Sequence, residues 1–462
     1  MRRRTLGLLT ITVALSLALM ACDLARLLPT QEPTTMTVRL APDGSGDYPS
    51  LEAAVDAVPP GSTIILEEGT YRLDAPLDIG KAIRLEGAGM LRTEIVSEAP
   101  DYVIRFSGEG PFHAKDIAFR HEGDLEANAV VVKDGQIDFV NCRFTGAVWT
   151  EDPAGRAGLR LEGSATGMVR ECMVMENDAH GIRLVDQAQV TLEGNLCSEN
   201  GYNGIVYRDS AGGVARDNSC SRNGLHGIDV YDKAQPTLER NICAGNEESG
   251  ITYFGEAGGL ARENECSGNG LHGIGLQGQA RPTLEDNVCT GNLGSGIVYF
   301  DSSGGVARGN DCSGNGNHGI AVEAEGGPTL ERNVCSRNTL NGINVRDEAQ
   351  PTLEENVCSQ NGQDGIMYAG SASGVARENK CTDNGLNGIE VQDKARPTLE
   401  ANGCARNAQA GIGFSDSAGG VARGNDCSGN KWGIYVAETA DPELIDNDCR
   451  DNASEDILDL RP

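Results

Sequence analysis

Short runs of alternating apolar and polar residues recur along most of this chain. In residues 204–249 they read Gly-Ile-x-Tyr or Gly-Ile-x-Val, then Gly-Val-Ala-Arg or Pro-Thr-Leu-Glu, then Asn-x-Cys. Gly, Asn and Ser separate the runs, and the i, i+3, i+4 spacing of amphipathic helices is absent. Each run therefore predicts a short β-strand, which argues against a helical repeat.

The runs repeat with a fixed period of 23 residues. Cysteine marks the period at Cys197, Cys220, Cys243, Cys266, Cys289, Cys312, Cys335, Cys358, Cys381, Cys404 and Cys427, and Cys449 follows 22 residues later. Self-similarity at such a period indicates a solenoid. Three strands in 23 residues fit one coil of a single-stranded right-handed parallel β-helix, whereas the LxxLxL signature of leucine-rich repeats is absent. We predict an all-β fold with about twelve regular coils.

Two columns of the repeat have complementary side-chain volumes. Alternation directs Ile and the residue two positions later inward, and the residue five before each Cys should also point inward. Tyr207, Tyr253, Tyr299, Tyr368 and Phe414 are each matched by Ala in the second column, whereas Val230, Leu276, Val322, Val345 and Val391 are each matched by Leu. Such compensation is expected when both columns fill one packed core.

Outward columns of the repeat also follow rules. Glu and Arg alternate at Glu193, Arg216, Glu239, Arg262, Glu285 and Arg308, until Glu331 and Glu354 stand together. Stacked strands are about 4.8 Å apart, which predicts a ladder of opposite charges. Two Asn columns, represented by Asn218 and Asn223, predict turns, because Asn tolerates left-handed conformations and can hydrogen-bond its stacked copy.

Composition limits the classes of partner. The chain has 462 residues, a net charge of −30 and only 4% aromatic residues. This acidity argues against nucleic acid as a partner. The 15 cysteines would suggest disulfides in an exported protein. Parallel stacked cysteines have an unfavourable separation for a disulfide, however, and a straight column lacks the tetrahedral ligand set of zinc. We expect buried free thiols.

The N-terminal segments predict export and anchoring. Residues 1–21 combine Arg2, Arg3 and Arg4 with an apolar run, which is typical of a signal peptide. Leu19-Met20-Ala21-Cys22 resembles a bacterial lipobox with an imperfect Met20, so we expect lipid on Cys22; an ordinary cleaved signal peptide or an N-terminal anchor is the alternative. Residues 22–36 would be a tether.

Residues 37–150 predict an N-terminal cap and irregular coils, with an amphipathic helix around residues 51–58. DGSGDYPSLEAAVDAVP, then GTY, LEGAG, KDIAF, NAVVV and NCRFTG resemble the start of pectin methylesterases of the pectin-lyase-like superfamily. The resemblance implies the same β-helical fold. Departures from the family's pattern argue against esterase activity. Asn128 replaces a family Gln, Ala147 and Val148 replace a Gln-Asp pair, and the later family motifs are missing.

Residues 151–449 predict the regular repeats, and residues 450–462 a C-terminal cap. GGVARxN, PTLExNxC and NGxxGIxV resemble the Asn-rich right-handed β-helix repeats of bacterial surface proteins. They are also similar to those of F-box ubiquitin-ligase adaptors and of NosD-type periplasmic proteins of copper-site assembly. These relatives share a fold rather than a reaction.

The best candidate ligand site lies among outward residues after the Gly-Ile-x-Val strand. Tyr231, Phe254 and Phe300 place three aromatic rings within four coils, with Asp229 beside them. Aromatic rings stack on sugar faces, and this sheet often lines the glycan groove in pectin-lyase-like proteins. We predict a saccharide-binding strip; scattered surface aromatics would be the alternative.

Two further columns are explained by turn chemistry. His180, His226, His272 and His318 recur every 46 residues, about 10 Å apart, which is too far to share a metal ion. Asp186, Asp209, Asp232, Asp301, Asp347, Asp393 and Asp416 begin turns. Calcium stays possible there, but we expect neither a metal site nor a cofactor.

The sequence favours an exported, lipid-anchored, monomeric and non-catalytic protein that binds polysaccharide or another surface partner. A polysaccharide lyase, hydrolase or epimerase is the alternative, and it would need acidic and basic groups clustered where a coil breaks the repeat. A structural spacer is the third possibility.

Overall fold

A computed structural model describes residues 34–149 and 155–462 as a solenoid of parallel strands. The fold agrees with the prediction, but the solenoid has about 18 turns rather than twelve. The first turns vary in length, as the unequal sequence spacing of equivalent residues shows. The residues that occupy the same position in successive turns are Thr37, Thr63, Arg84, His113, Asp138 and Met168. Counting the 23-residue period misses these turns.

Three ladders of strands run along the solenoid, and we call them sheets A, B and C. The long strands β4 (Leu77–Glu86) and β6 (Asp101–Lys115) contribute to both sheets A and B. The other strands of sheet A are β8 (Ala127–Val132), β11 (Ala157–Leu161), β14 (His180–Leu184), β16 (Ile205–Tyr207), β18 (Ile228–Val230), β20 (Ile251–Tyr253), β22 (Ile274–Leu276), β24 (Ile297–Tyr299), β26 (Ile320–Val322), β29 (Ile343–Val345), β32 (Ile366–Tyr368), β35 (Ile389–Val391), β38 (Ala410–Phe414), β40 (Trp432–Val436) and β42 (Glu455–Asp459).

Sheet B carries the charged ladder. Its other strands are β1 (Thr37–Leu40), β2 (Ser62–Leu66), β9 (Gln136–Val140), β12 (Thr166–Arg170), β15 (Gln189–Glu193), β17 (Gly212–Arg216), β19 (Thr237–Glu239), β21 (Leu260–Arg262), β23 (Thr283–Glu285), β25 (Val306–Arg308), β27 (Thr329–Glu331), β30 (Thr352–Glu354), β33 (Val375–Arg377), β36 (Thr398–Glu400), β39 (Gly419–Arg423) and β41 (Asp441–Ile445).

Sheet C has the fewest strands and holds the cysteines. Its strands are β3 (Gly69–Leu73), β5 (Thr93–Ser97), β7 (Ala118–His121), β10 (Arg143–Thr145), β13 (Met173–Val174), β28 (Val334–Ser336), β31 (Val357–Ser359), β34 (Lys380–Thr382) and β37 (Gly403–Ala405). Single bridges, such as Ile242 to Glu265, continue it between β13 and β28 and beyond β37.

The predicted cap helix closes the N-terminal end. Helix α1 (Leu51–Ala57) begins after Ser50, whose Oγ accepts a hydrogen bond from the backbone N–H of Ala53 at 3.2 Å. Leu51, Ala54 and Val55 are buried. The helix therefore covers the first coils with an apolar face, as a solenoid end requires.

The core contains the residues that alternation places inside. The Tyr/Val and Ala/Leu columns and the cysteines from Cys197 to Cys427 are buried. All 14 described cysteines are free, and burial raises the pKa of Cys220 and Cys243. The cysteines therefore serve as small core residues, as predicted.

Exchanging one complementary pair tests this packing. Tyr253→Val alone leaves a cavity and should cost about 2–4 kcal/mol, and Ala261→Leu alone overfills the coil and should cost about 1–3 kcal/mol. The double variant recreates a natural Val/Leu coil. Urea unfolding should find it about 2–3 kcal/mol more stable than the sum of the single effects. Additive costs would show that the two positions do not share one core.

The Asn columns form two buried hydrogen-bond ladders. Asn241 Nδ2 donates to Oδ1 of Asn264 at 2.9 Å and to the Ala215 carbonyl oxygen at 2.8 Å. The second ladder repeats this pattern, with Asn223 Nδ2 donating to Asn246 Oδ1 at 3.1 Å. The left-handed residue of each turn is the one before Asn, such as Arg240 with φ of 50°. Asn is therefore the hydrogen-bonding residue of the turn and not its left-handed residue.

The charged ladder of sheet B also agrees with the prediction. Arg262 pairs with Glu239 at 2.6 Å and Arg216 with Glu193 at 2.9 Å. Where Glu331 and Glu354 stack, Arg308 and Arg377 pair with them from the outer sides. These pairs are partly exposed, so they favour the register more than they stabilise the fold.

Candidate functional site

One row of outward residues on sheet A is covered by its neighbours and forms the floor of a groove. The row consists of the residue before the last one in each sheet A strand from β11 to β38: Arg160, Arg183, Val206, Asp229, Thr252, Gly275, Val298, Ala321, Asn344, Met367, Glu390 and Gly413. Although alternation points them outward, Val206, Asp229 and Val298 are at most 2% exposed. We call this row the floor, and we call the floor together with the walls beside it the sheet A groove.

Residues on either side of the strands form the walls. The residue after each strand provides one wall, with Arg208, Tyr231, Phe254 and Phe300. The turn before each strand provides the other wall, with Tyr202, Leu225, His226, Leu271 and His272. Two cavities of about 240 and 310 Å³ lie between these walls, the first around Arg183 and the second over Gly275. The groove can therefore hold a ligand in extended contact with several coils.

The first cavity contains a buried arginine. Arg183 is 5% exposed, and its Nη1 donates to the Gly155 carbonyl oxygen at 3.0 Å. Its Nε has no hydrogen-bond partner among the described residues, and none of their carboxylates forms an ion pair with it. Burial, together with the positive charges of Arg160 and Arg208, lowers the pKa of Arg183 to about 10. Such a charge is costly without an anionic partner.

Aromatic rings surround the same cavity. Trp149 contacts Tyr202 with ring centroids 4.2 Å apart and His180 at 5.7 Å. On the opposite wall, the Arg208 guanidinium lies 4.9 Å from the ring centroid of Tyr231. The cavity therefore combines a cationic floor with aromatic walls.

Asp229 lies on the floor under Tyr231. Its Oδ2 accepts from Asn203 Nδ2 at 2.8 Å and its Oδ1 accepts from the Thr252 hydroxyl at 2.6 Å. Burial raises the pKa of Asp229 to about 7, although these hydrogen bonds and the charge of Arg208 oppose the shift. Burial and the Asp229 carboxylate also raise the pKa of Tyr231. Asp229 can therefore exchange a proton near neutral pH.

The predicted strip residues are brought into the groove, in two groups. Tyr231 and Phe254 stack with centroids 4.8 Å apart and an interplanar angle of 12°. Phe300 lies two coils further on and lines the second cavity with Phe254. Asp229, predicted beside the rings, is completely buried below them. The predicted strip is thus one wall of the groove.

Sequence reasoning missed Arg183, Trp149 and Tyr202. The third residue of Gly-Ile-x-Val changes from coil to coil, and none of the residues that follow Arg183 in this row, from Val206 to Gly413, is basic. That variation was the available signal for Arg183. Trp149 belongs to the irregular region, so the repeat gives no signal for it.

The His column has the structural role expected of it. Nδ1 of His226 and His272 accepts the backbone N–H of Ser249 and Ser295, at 3.2 and 3.1 Å. Asn203 and Asn341 do the same for the next coil through Oδ1. Burial lowers the pKa of His226 to about 4, so the ring stays neutral and accepts at Nδ1.

The Asp column likewise fixes turns. Asp209 and Asp232 have φ values of 57° and 59°, and Asp232 Oδ2 accepts the Asp209 backbone N–H at 3.2 Å. This confirms the turn interpretation. Within residues 34–149 and 155–462, no group of three or more His, Cys, Asp or Glu side chains is placed to hold a metal ion.

Two carboxyl groups occupy the C-terminal part of the groove. Burial raises the pKa of Asp364 to about 6 and that of Glu390 to about 7. Asn387 links them, because its backbone N–H donates to Asp364 at 2.8 Å and its Nδ2 donates to Glu390 at 3.0 Å.

Asn128 stands where the pectin methylesterase pattern has Gln. Its side chain is buried and hydrogen-bonded to the backbone of Asp101 and Ala157.

Comparisons with known proteins agree with the fold. The family described as "Right handed beta helix region" matches residues 128–261, 253–376 and 341–458. Pectinesterase 31 of Arabidopsis thaliana is 28% identical over 149 residues, which cover 24% of this chain and 44% of the relative. The chain thus spans less than half the length of this curated relative.

The solved structures that resemble this chain are more distant in sequence. A periplasmic alginate epimerase is 12% identical, with 89% of this chain and 83% of that chain covered and a TM-score of 0.33. A pectin methylesterase from carrot is 16% identical, covering 56% and 83%, with a TM-score of 0.31. Among the described residues, no helix has the length and apolar character needed to span a bilayer.

Proposed function

The chain belongs to this right-handed β-helix family, and we propose that it binds an anionic polysaccharide along the sheet A groove. The fold and the pectinesterase relative are compatible with a carbohydrate-related role. The observation that carries the proposal is the buried guanidinium of Arg183 on the groove floor, in a protein whose net charge is −30.

The charge of Arg183 points to the class of sugar. A buried cation is normally paired, yet the described carboxylates leave Arg183 without an ion pair, and Arg160 and Arg208 lower its pKa further. A carboxylate or sulfate on a sugar would match this cluster and accept two hydrogen bonds from one guanidinium. A neutral polymer would leave the positive charge of Arg183 without an anionic partner.

The aromatic wall indicates how a bound polymer would be oriented along the solenoid. Tyr231, Phe254 and Phe300 follow one another on sheet A, and Trp149 and Tyr202 face them at the Arg183 end. Flat apolar rings provide large contact area at low conformational cost. A polymer stacked on them would run parallel to the solenoid axis, with one sugar acid at Arg183.

Titration with a polyuronate tests the proposal. Arg183→Met keeps the side-chain length and removes the charge, so we expect affinity to fall at least tenfold. Because the wild-type contact is ionic, its affinity should also fall as salt rises. The matched control is Arg240→Met, which removes an exposed arginine paired with Asp217 outside the groove and should leave affinity unchanged. Equal affinities of wild type and Arg183→Met would refute the proposal.

Two further variants test which groups form the site. The triple variant Tyr231→Ala, Phe254→Ala and Phe300→Ala should also lose binding if the polymer stacks on the wall. Glu151 and Asp152 precede Gly155 in the sequence but lie outside the described residues. Replacing both by amides should leave polymer binding intact, since the proposal assigns Arg183 to the ligand.

Catalysis on the bound polymer is a second candidate function, and Asp229 favours it. A carboxyl group with a pKa of about 7 lies beside Tyr231 and near Arg208. This set can neutralise a sugar acid and move a proton, as a lyase, epimerase or hydrolase requires. Asp229→Asn should then abolish turnover but retain binding. If the polymer binds tightly but no product forms, catalysis is ruled out and polymer binding is the function that stands.

Cys22 lies outside the described residues, and its modification stays part of the proposal. The lipobox-like sequence supports export and lipid anchoring of the mature chain. Mass spectrometry of the protein expressed with its native N-terminus should find a diacylglycerol group on Cys22. An N-terminus at any other residue would contradict lipid anchoring.

A further inference from the structure

The second cavity of the groove differs from the first in having an apolar lining. It holds about 310 Å³, and its apolar lining is formed by Phe254, Leu271, Leu276 and Phe300, beside the polar residues His226, Glu248 and His272. Phe254 and Phe300 are two coils, or about 10 Å, apart along sheet A. A cavity of this size is at the lower end of the range for small-molecule sites, so it can receive one substituent of a longer ligand together with part of the group that carries it.

Gly275 deepens the cavity, because it has no side chain on the floor. The neighbours in the floor are Thr252 and Val298. A Cβ atom at Gly275 would meet only Thr252 Cγ2 at 3.6 Å and Val298 Cγ1 at 3.9 Å, which are ordinary contacts. Neither the backbone conformation nor crowding therefore requires glycine here, and its effect is to leave the floor open.

His272 presents a polar group of defined protonation to this cavity. The backbone N–H of Ser295 donates to Nδ1 of His272 at 3.1 Å, and burial lowers the pKa of that ring. The neutral ring must therefore carry its proton on Nε2. His226 and Glu248 also line this cavity, and His226 Nε2 lies 3.3 Å from Glu248 Oε2, whereas no described carboxylate pairs with His272. An N–H donor thus accompanies an apolar cavity.

We propose that this cavity binds a short O-acyl group, such as acetyl, on the polysaccharide. The methyl end would occupy the space over Gly275 between Phe254 and Phe300, and the ester carbonyl oxygen would accept from His272 Nε2. This inference rests on the proposed function, because the same polymer would place an acidic sugar at Arg183. The groove would then select a polymer that is both anionic and acylated.

The test compares an O-acetylated polyuronate with the same sample after alkaline deacetylation. The wild type should bind the acetylated polymer about tenfold more tightly, the discrimination typical of one small apolar group in a pocket. Gly275→Val occupies the space directly above the floor with the residue type found at Val298, and it should bind both polymers with the affinity that the wild type has for the deacetylated one. Gly275→Ala, a smaller intrusion, provides a second variant if valine disturbs the fold.

His272→Asn separates the polar contact from the apolar one. Asn203 and Asn341 already accept the next backbone N–H in this column, so the coil should stay intact while the ring donor is lost. The preference for the acetylated polymer should then decrease.

The pattern of outcomes distinguishes this inference from the function on which it rests. If the wild type binds both polymers equally and Arg183→Met binds neither, the acyl site is wrong and the anionic site stands. If the wild type binds neither polymer, the proposed function fails, and the inference fails with it.

Discussion

Asn264→Leu should destabilise the protein by about 3–5 kcal/mol, more than any other single change considered. Oδ1 of Asn264 accepts both the backbone N–H and Nδ2 of Asn241, at 3.0 and 2.9 Å, and its own Nδ2 donates to the Leu238 carbonyl oxygen at 2.9 Å. Leucine has a similar volume but leaves these groups unpaired in the core. Each unpaired buried group costs about 1–3 kcal/mol.

Urea unfolding followed by circular dichroism measures this loss, and hydrogen exchange locates it. Amide protection should fall in the coils on both sides of residue 264, because the ladder connects neighbouring turns. Glu265→Ala is the control, since Glu265 lies next in sequence but is exposed. If Asn264→Leu costs less than 1 kcal/mol, the Asn ladder does not hold the coils together.

Asp229→Asn should stabilise the protein at pH 8, by up to about 4 kcal/mol. The native-state pKa of Asp229 is about 7, whereas the exposed group has a value of 3.8. Between pH 4 and pH 7 the native protein therefore keeps a proton that the unfolded chain has released. The wild type loses stability as pH rises through this window, at about 1.4 kcal/mol for each unit of pKa difference.

The isosteric amide avoids this cost. Its oxygen can accept from Asn203, and its NH₂ group can donate to the Thr252 hydroxyl oxygen, which rotates to suit. Unfolding at pH 4.5 and pH 8 should give a stability difference between variant and wild type that grows with pH. Glu256→Gln is the control, because the Glu256 side chain is 62% exposed. A difference that does not change with pH would mean that Asp229 ionises freely.

The gain in stability from Asp229→Asn has a functional meaning. A protein that keeps a costly carboxyl group in its groove sacrifices stability at neutral pH, and such costs concentrate at functional sites. Arg183 shows the same pattern with the opposite charge. Both residues lie on the floor of the groove within two coils of each other.

Much of the fold follows from the repeat alone. Tyr253 and Ala261 reveal the core because their volumes vary together, and the amphipathic run from Leu51 to Val58 reveals the cap helix. The number of turns does not follow, because the N-terminal coils from Thr37 to Met168 differ in length and hide the period.

The site was predicted less completely than the core, for a physical reason. Alternation gives the direction of a side chain and correctly places Tyr231, Phe254 and Phe300 on the outside. It does not show that flanking turns cover Asp229 and Arg183, since burial in a groove depends on packing between coils. The unpaired charge of Arg183 is visible only when those coils are assembled.

A glycan array measured with the wild type and Arg183→Met tests the central claim most directly. The proposal predicts that the wild type binds acidic polysaccharides, that neutral polymers give no signal, and that Arg183→Met loses the acidic signals. Binding restricted to neutral glycans, or acidic signals that persist in Arg183→Met, would contradict an anion-binding groove on sheet A.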